Sequence, residues 1–286
     1  MTEEDAIYEA SLPYLVGITV ATDTPGPTGD WVDGLRRFAL SGSVFEFHGR
    51  WVLATAGHCI NDLNAIVRHD GQLSVAVVDG WAGGGGQLQP IPLHYDPDLA
   101  FAYDDNKWDF GFIILPDNTR ALLEAGRVKT VGPDHYSSEP SDDKYQVCAV
   151  LGLPTSAQNA RVKGDAVALE VSPVLARLEH AFEVPAEVKK ADVPLWYGRL
   201  KNEMAAEIGS LDGMSGGTVF GFRRLNSEKI HLQVIGIQYA IKRHGQYIYV
   251  MATPWYMVNK LLEELRARIQ DAEAPEQVKA EDGDKL

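Results

Sequence analysis

The feature that most constrains this chain is a succession of short apolar runs, each broken by turn residues before it reaches helical length. Tyr14 to Ala21 reads YLVGITVA, and Ser43 to Phe47, Trp51 to Thr55, Leu73 to Val78 and Phe110 to Leu115 follow it. Tyr145 to Leu151, Ala166 to Val171, Val219 to Phe222, His231 to Ala240 and Tyr247 to Met251 continue the series. These runs are rich in β-branched and aromatic residues, which fit a pleated, half-buried surface. Pro25, Gly26, Pro27, Gly29 and Gly34 make the stretch between the first two a loop, and His48-Gly49 turns a hairpin. Only near the end does the period change: Val258, Leu261, Leu262, Leu265 and Ile269 recur at helical spacing, behind Thr253 as N-cap and Pro254 at the first helical position. Strands without alternating long helices predict an all-β fold closed by a C-terminal α-helix. At 286 residues the chain fits one large β domain or a pair of barrels, and needs no covalent staple to bury its core.

Three segments carry chemistry. His58 follows an apolar run in Thr55-Ala56-Gly57-His58-Cys59, Asp109 opens the run Phe110 to Leu115, and Ser215 lies in Gly213-Met214-Ser215-Gly216-Gly217. A serine hydroxyl is a weak nucleophile near neutrality and needs a base of suitable pKa, which histidine supplies. The imidazole must keep one tautomer, and a buried carboxylate on its second nitrogen holds it there. The oxyanion that follows needs fixed donors, and two N–H groups of a sharp glycine turn provide them. Histidine, aspartate and serine in this order therefore point to nucleophilic hydrolysis. The Gly-x-Ser-x-Gly pattern also matches the strand-to-helix elbow of α/β-hydrolases. Here the β-branched and aromatic Thr218-Val219-Phe220-Gly221-Phe222 follows it, and the order of the three residues differs from theirs. Asp104 and Asp105 stand close to Asp109, but only Asp109 directly precedes the apolar run.

These segments resemble the trypsin-like (chymotrypsin-fold) serine peptidases, in their bacterial, disulfide-free form, over roughly residues 12 to 265. The resemblance implies two packed antiparallel six-stranded β-barrels with the site in the cleft between them. It divides the chain into a lead (1–11), a first barrel with His58 and Asp109 (12–120), a linker (121–143), a second barrel with Ser215 (144–252), a helix (253–270) and an acidic disordered tail (271–286). It implies serine endopeptidase activity without a cofactor, acting on a protein or peptide. His58 serves as base and then acid, Asp109 orients it, Ser215 attacks, and the N–H groups of Gly213 and Ser215 form the oxyanion hole. Gly209, Ser210, Gln238 and Tyr239 fall at the substrate pocket. Zymogen-type members carry an aspartate just before the nucleophile, which pairs with a newly cut N-terminus. Met214 stands there and cannot make that pair, so no such cleavage is expected. Trypsin-type members carry an aspartate six residues before the serine, where this chain has Gly209, so neutral residues rather than basic ones are expected before the cleaved bond. The alternatives are a catalytically silent binding module of the same fold, and an esterase using the same triad.

Charge and cysteine usage bound the setting. Lys and Arg number 26 against 40 Asp and Glu, a net charge of −14, which disfavours nucleic acid or an anionic membrane as partner. The leading Met1-Thr2-Glu3-Glu4-Asp5 is acidic where a secretory segment is basic, and no run is long enough to span a bilayer. Cys59 and Cys148 each lack the partner that secreted relatives provide, so both are expected as buried free thiols. That predicts a cytoplasmic location, the alternative being secretion without a recognisable signal. No His/Cys cluster has metal spacing, so no metal is expected. The oligomeric state has no signature in the sequence.

Overall fold

The computed structural model describes residues 2–26, 29–32, 34–68, 73–79, 90–104, 108–136, 145–163, 166–190, 193–208, 211–224 and 230–271. The expected all-β architecture with a C-terminal helix is what it contains. A short helix, α1 (Glu3–Ser11), comes first. Its N-terminus is closed reciprocally: Thr2 Oγ1 accepts the Asp5 N–H at 3.1 Å, and Asp5 accepts the Thr2 N–H at 2.8 Å. The capping box starts a helix of nine residues with Ile7 buried.

The first half then lays down β1 (Leu15–Thr22), β2 (Asp30–Val32), β3 (Leu35–Phe47), β4 (Arg50–Thr55), the helix α2 (Gly57–Arg68), β5 (Leu73–Asp79), β6 (Ile91–Leu93), β7 (Ala100–Asp104) and β8 (Asp109–Ile114). These make one antiparallel sheet in the order β6-β5-β1-β3-β4-β8-β7, with β2 on β3. Among the described residues its strand count is eight, against six implied by the resemblance, because the short β2 and β6 add to the sheet. The β3–β4 hairpin turns at His48 (φ 49°) and Gly49 (φ 80°), both left-handed as a two-residue turn requires. A helix, α3 (Asp117–Ala125), occupies the start of the stretch leading to the second half.

The second half contains β9 (Val147–Gly152), the hairpin β10 (Gln158–Lys163) and β11 (Ala166–Val171), then β12 (Val174–His180), β13 (Trp196–Lys201), the helix α4 (Asn202–Ile208), β14 (Thr218–Arg224), β15 (Ile230–His244) and β16 (Tyr247–Pro254). Six of these strands close into a barrel, β12-β13-β16-β15-β14-β9. The closing helix α5 (Trp255–Asp271) starts after Thr253-Pro254, which remain in β16. Thr253 is fully buried and its hydroxyl donates to the Asp109 carbonyl at 3.3 Å, so it ties strand to strand instead of capping the helix. Trp255, Val258 and Leu262 turn the inner face of α5 into the core.

One apolar cluster joins the halves: Leu15, Phe45, Phe110 and Phe112 from the first meet Leu151, Phe220 and Val234 from the second, and Trp255 stacks on Phe45 at 4.0 Å between centroids. The halves are also sewn by polar groups, of which Ser41, Ser43 and Thr218 are buried and Gln158 half-buried. Ser43 and Thr218 share a hydrogen bond of 2.6 Å between hydroxyls, and Ser41 Oγ accepts the Leu153 N–H at 2.8 Å. The Gln158 carboxamide accepts the Ala39 N–H at 2.8 Å and donates to its carbonyl at 3.0 Å. Buried polar groups cost stability unless they are paired, and these pair with each other across the seam. Cys59 and Cys148 are free and buried, as expected from their missing partners.

Candidate active site

The register of β4 on β8 decides where the acid and the histidine meet. Thr55 lies opposite Gly111, and continuing that antiparallel register by two residues brings Asp109 against the start of α2, where His58 sits. The first N–H groups of a helix have no partner within it and favour a negative charge. Asp109 meets both needs of His58 at once. Its Oδ1 accepts the His58 backbone N–H at 3.0 Å, and its Oδ2 accepts from Nδ1 at 2.7 Å. The carboxylate is 10% exposed and the imidazole side chain 37%, so the acid is sealed in while the ring keeps an edge open to solvent. Burial of the ring works against its charged form. The hydrogen bond to Asp109 and the Cys59 sulfur beside the ring prevail, and the His58 pKa stands above the ordinary histidine value.

Ser215 comes from the loop before β14. The loop turns through Gly213 at φ 85° and Gly216 at φ 89°, left-handed values that side chains with a Cβ resist. Three of its N–H groups are spent inside the fold: Met214 on Leu211 O (3.2 Å), Gly216 on Gln238 O (2.8 Å) and Gly217 on Met214 O (2.7 Å). Among the described residues no backbone acceptor takes the N–H of Gly213 or Ser215. Met214, at the position where a zymogen's aspartate would stand, is 1% exposed and packs with Leu211 and Val219 in the barrel core. The loop is therefore held by apolar burial at the point where an ion pair would otherwise hold it.

The loop reaches the first half through Cys59, whose Sγ approaches the Ser215 carbonyl at 4.0 Å. Ser215 Oγ itself donates to the Tyr239 carbonyl at 3.4 Å. The structure thus brings His58 and Asp109 into direct contact and sets the Ser215 loop against the residue next to His58. Of the residues read as a pocket, Gln238 and Tyr239 flank this loop: Gln238 pairs with Gly216 and Gly217 through its backbone, and Tyr239 bonds the serine hydroxyl. Both side chains are buried, with Gln238 Oε1 and Tyr239 Oη lacking a partner among the described residues. Gly209 and Ser210 lie outside the described residues, as does Asp105.

Sequence reasoning missed several participants. Nothing in it foretold that the His58 backbone N–H would share Asp109, that Tyr239 would supply a carbonyl to Ser215, or that residues 181–190 would cover the site's flank. Val188 of that segment is buried with Ala56, Cys59, Tyr197, Tyr239, Tyr249 and Met251. The α2 helix was legible in principle, since Ile60, Leu63 and Ile66 recur at helical spacing and are buried. Among the described residues no three His, Cys, Asp or Glu side chains gather as a metal site, and no helix is long and apolar enough to cross a membrane.

The chain matches no protein-family profile and no curated protein sequence. Solved structures that resemble it are bacterial serine proteases of the trypsin-like kind. A thermostable serine protease, AL20, from an extremophilic microorganism is 12% identical, with a TM-score of 0.47 over 88% of this chain and 95% of that one. Protease Anisep from Arthrobacter nicotinovorans is also 12% identical, with a TM-score of 0.47 over 91% and 96%. The MamO protease domain from Magnetospirillum magneticum is 12% identical, with a TM-score of 0.43 over 89% and 98%.

Proposed function

We propose that this chain is a serine endopeptidase in which His58, Asp109 and Ser215 form the triad. The observation that carries the reading is the double contact of Asp109 with His58, with Nδ1 at 2.7 Å, beside a serine loop whose Gly213 and Ser215 N–H groups meet no backbone acceptor among the described residues. In the reaction the Ser215 hydroxyl turns from the Tyr239 carbonyl to His58 Nε2, gives up its proton there and attacks the peptide carbonyl. The N–H groups of Gly213 and Ser215 receive the oxyanion. His58 then protonates the leaving amine, and water releases the acyl group by the same steps in reverse. Beyond Gln238, among the described residues, β15 pairs only with β16, and this edge, starting at the residue that bonds Ser215, supports binding of an extended peptide by strand addition. The same machinery serves activated esters. Two buried free thiols support a reducing, cytoplasmic setting.

A second reading is a binding module without turnover. The resting bond of Ser215 Oγ to Tyr239 favours it, because the hydroxyl is engaged away from the imidazole. Treatment with a fluorophosphonate, followed by mass spectrometry of the peptide containing Ser215, separates the two. An endopeptidase takes the adduct on Ser215 and loses turnover by about 10⁶ in Ser215→Ala or His58→Ala. A protein that cleaves peptides as well after Ser215→Ala refutes the mechanism, and one that never labels is the binding module.

A further inference from the structure

Residues 181–190 follow β12, and Val188 among them is buried with Tyr197 of β13, Tyr239 of β15 and Tyr249 of β16, so the segment crosses these strands near the β15 edge. The crossing is tied down at several points. The Ala181 N–H donates to Tyr197 O at 2.9 Å, and the Lys190 N–H donates to the Tyr197 hydroxyl at 2.9 Å. Lys242, on β15, donates through Nζ to the Glu187 carbonyl. Val188 fills the space under the crossing.

This arrangement sets two ammonium groups along the edge. Lys190 Nζ stands 5.4 Å from the centroid of the Tyr239 ring, close enough for the ring face to hold a cation. Tyr239 is the residue whose carbonyl receives the Ser215 hydroxyl. Lys242 lies further along the same strand, about 10 Å from Tyr239 at roughly 3.3 Å per residue. Among the described residues neither ammonium has a carboxylate within ion-pair distance, although the chain as a whole carries a net charge of −14. Glu183 and Glu187 sit on the same crossing, yet Lys242 engages the backbone of Glu187 and not its side chain.

From this placement we infer that the cleft selects substrates with an acidic side chain about two to four residues from the cleaved bond, and that Lys190 and Lys242 are the specificity-determining residues. The inference rests on the peptidase reading and adds a substrate class to it. A peptide laid along the edge from Tyr239 puts every second side chain on the face of the crossing. A carboxylate there meets a cation already positioned by an aromatic ring or a backbone carbonyl. Long-range repulsion from the acidic surface is screened beyond about 10 Å at 0.1 M salt, so the nearby lysines decide the local preference.

The test uses the full chain and fluorogenic peptides that differ only in carrying Glu, Gln or Lys at each of the positions flanking the bond. For a half-exposed charge pair the expected kcat/KM advantage of Glu over Gln is about two- to fivefold at its best position, larger over Lys, and it shrinks toward unity in 0.5 M salt. Lys242→Glu and Lys190→Glu each reduce the preference, and together they invert it to favour Lys. Lys242 is exposed, so its variant tests the idea even where Lys190→Glu disturbs the packing over Tyr239. Equal turnover of the Glu, Gln and Lys peptides, or a preference unmoved by Lys242→Glu, overturns the inference. Failure of the peptidase reading looks different: the unaltered protein then cleaves none of the peptides and takes no fluorophosphonate on Ser215.

Discussion

Asp109→Asn exchanges a carboxylate that faces two donors of one residue for a carboxamide with a single acceptor. Oδ1 now takes the His58 backbone N–H at 3.0 Å, and Oδ2 takes Nδ1 at 2.7 Å. In the variant the amide NH₂ must face one of these donors. The backbone N–H is fixed by α2, whereas the imidazole can move its proton from one nitrogen to the other. The amide oxygen therefore stays on the backbone, the NH₂ turns to Nδ1, and Nδ1 becomes an acceptor. The ring proton then rests on Nε2, the atom that should receive the proton of Ser215. A wrong tautomer of this kind costs about 10⁴ in kcat, or roughly 5.4 kcal/mol at 1.36 kcal/mol per tenfold. Because the carboxylate is buried, the lost charge-assisted bond also lowers stability by about 1.5–3 kcal/mol. Turnover of a fluorogenic peptide measures the first effect, thermal unfolding the second, and ¹⁵N chemical shifts of the His58 ring report which nitrogen holds the proton. A variant within tenfold of the parent, or one that loses turnover while keeping the proton on Nδ1, refutes the reasoning.

Further outcomes follow from the same geometry. Gly213→Ala forces a Cβ into a left-handed turn against Thr155 and should cost about 1–2 kcal/mol of stability, with a fall of about 10²-fold or more in kcat as the oxyanion donors shift; kinetics and unfolding of the one variant read both. His58 must be neutral to act as base, so its raised pKa puts the acid limb of the kcat/KM profile above about pH 6.5, and Cys59→Ala should move that limb down; a limb unmoved by the change removes the sulfur from the account. Raised in the folded state, the same group contributes stability that is complete below about pH 6.5 and is lost as pH climbs through the folded pKa, which unfolding measured across that range detects. Thiol titration of the denatured, unreduced chain should find both Cys59 and Cys148, with a melting temperature indifferent to reductant; a count of zero overturns the compartment argument.

Much of the fold could be read because its signals are local. Alternation and β-branching mark β1, β4, β5 and β8 within a residue or two, and the approach of His58 to Asp109 follows from two apolar runs, one ending just before His58 and one starting just after Asp109. What stayed hidden depends on contacts distant in sequence. The apolar spacing of Ile60, Leu63 and Ile66 marks α2, but it begins at Gly57, a weak helix former, directly behind a strand. Thr253 reads as a helix cap until the Asp109 carbonyl claims its hydroxyl. Residues 181–190 have neither period nor motif, and Val188 acquires a role only because Tyr197, Tyr239 and Tyr249 converge from three different strands. The resemblance puts Gln238 at the pocket, yet the burial of its side-chain oxygen without a partner among the described residues is a property of the assembled barrel.

The polar seam between the halves has a mechanical meaning. His58 and Asp109 ride on one half and Ser215 on the other, so in the proposed reaction the seam would work as an alignment stop for the reacting atoms. A misplacement of about 1 Å costs on the order of 10²-fold in rate. The Ser43–Thr218 and Ser41–Leu153 bonds, at 2.6 and 2.8 Å, would part before the halves slid that far. The seam therefore sets a narrow tolerance on the angle between the halves, and Ser43→Ala loosens it from a site no substrate touches. By the same leverage, a ligand that gripped both halves on the outer surface would act as a brake or a throttle on turnover without entering the cleft.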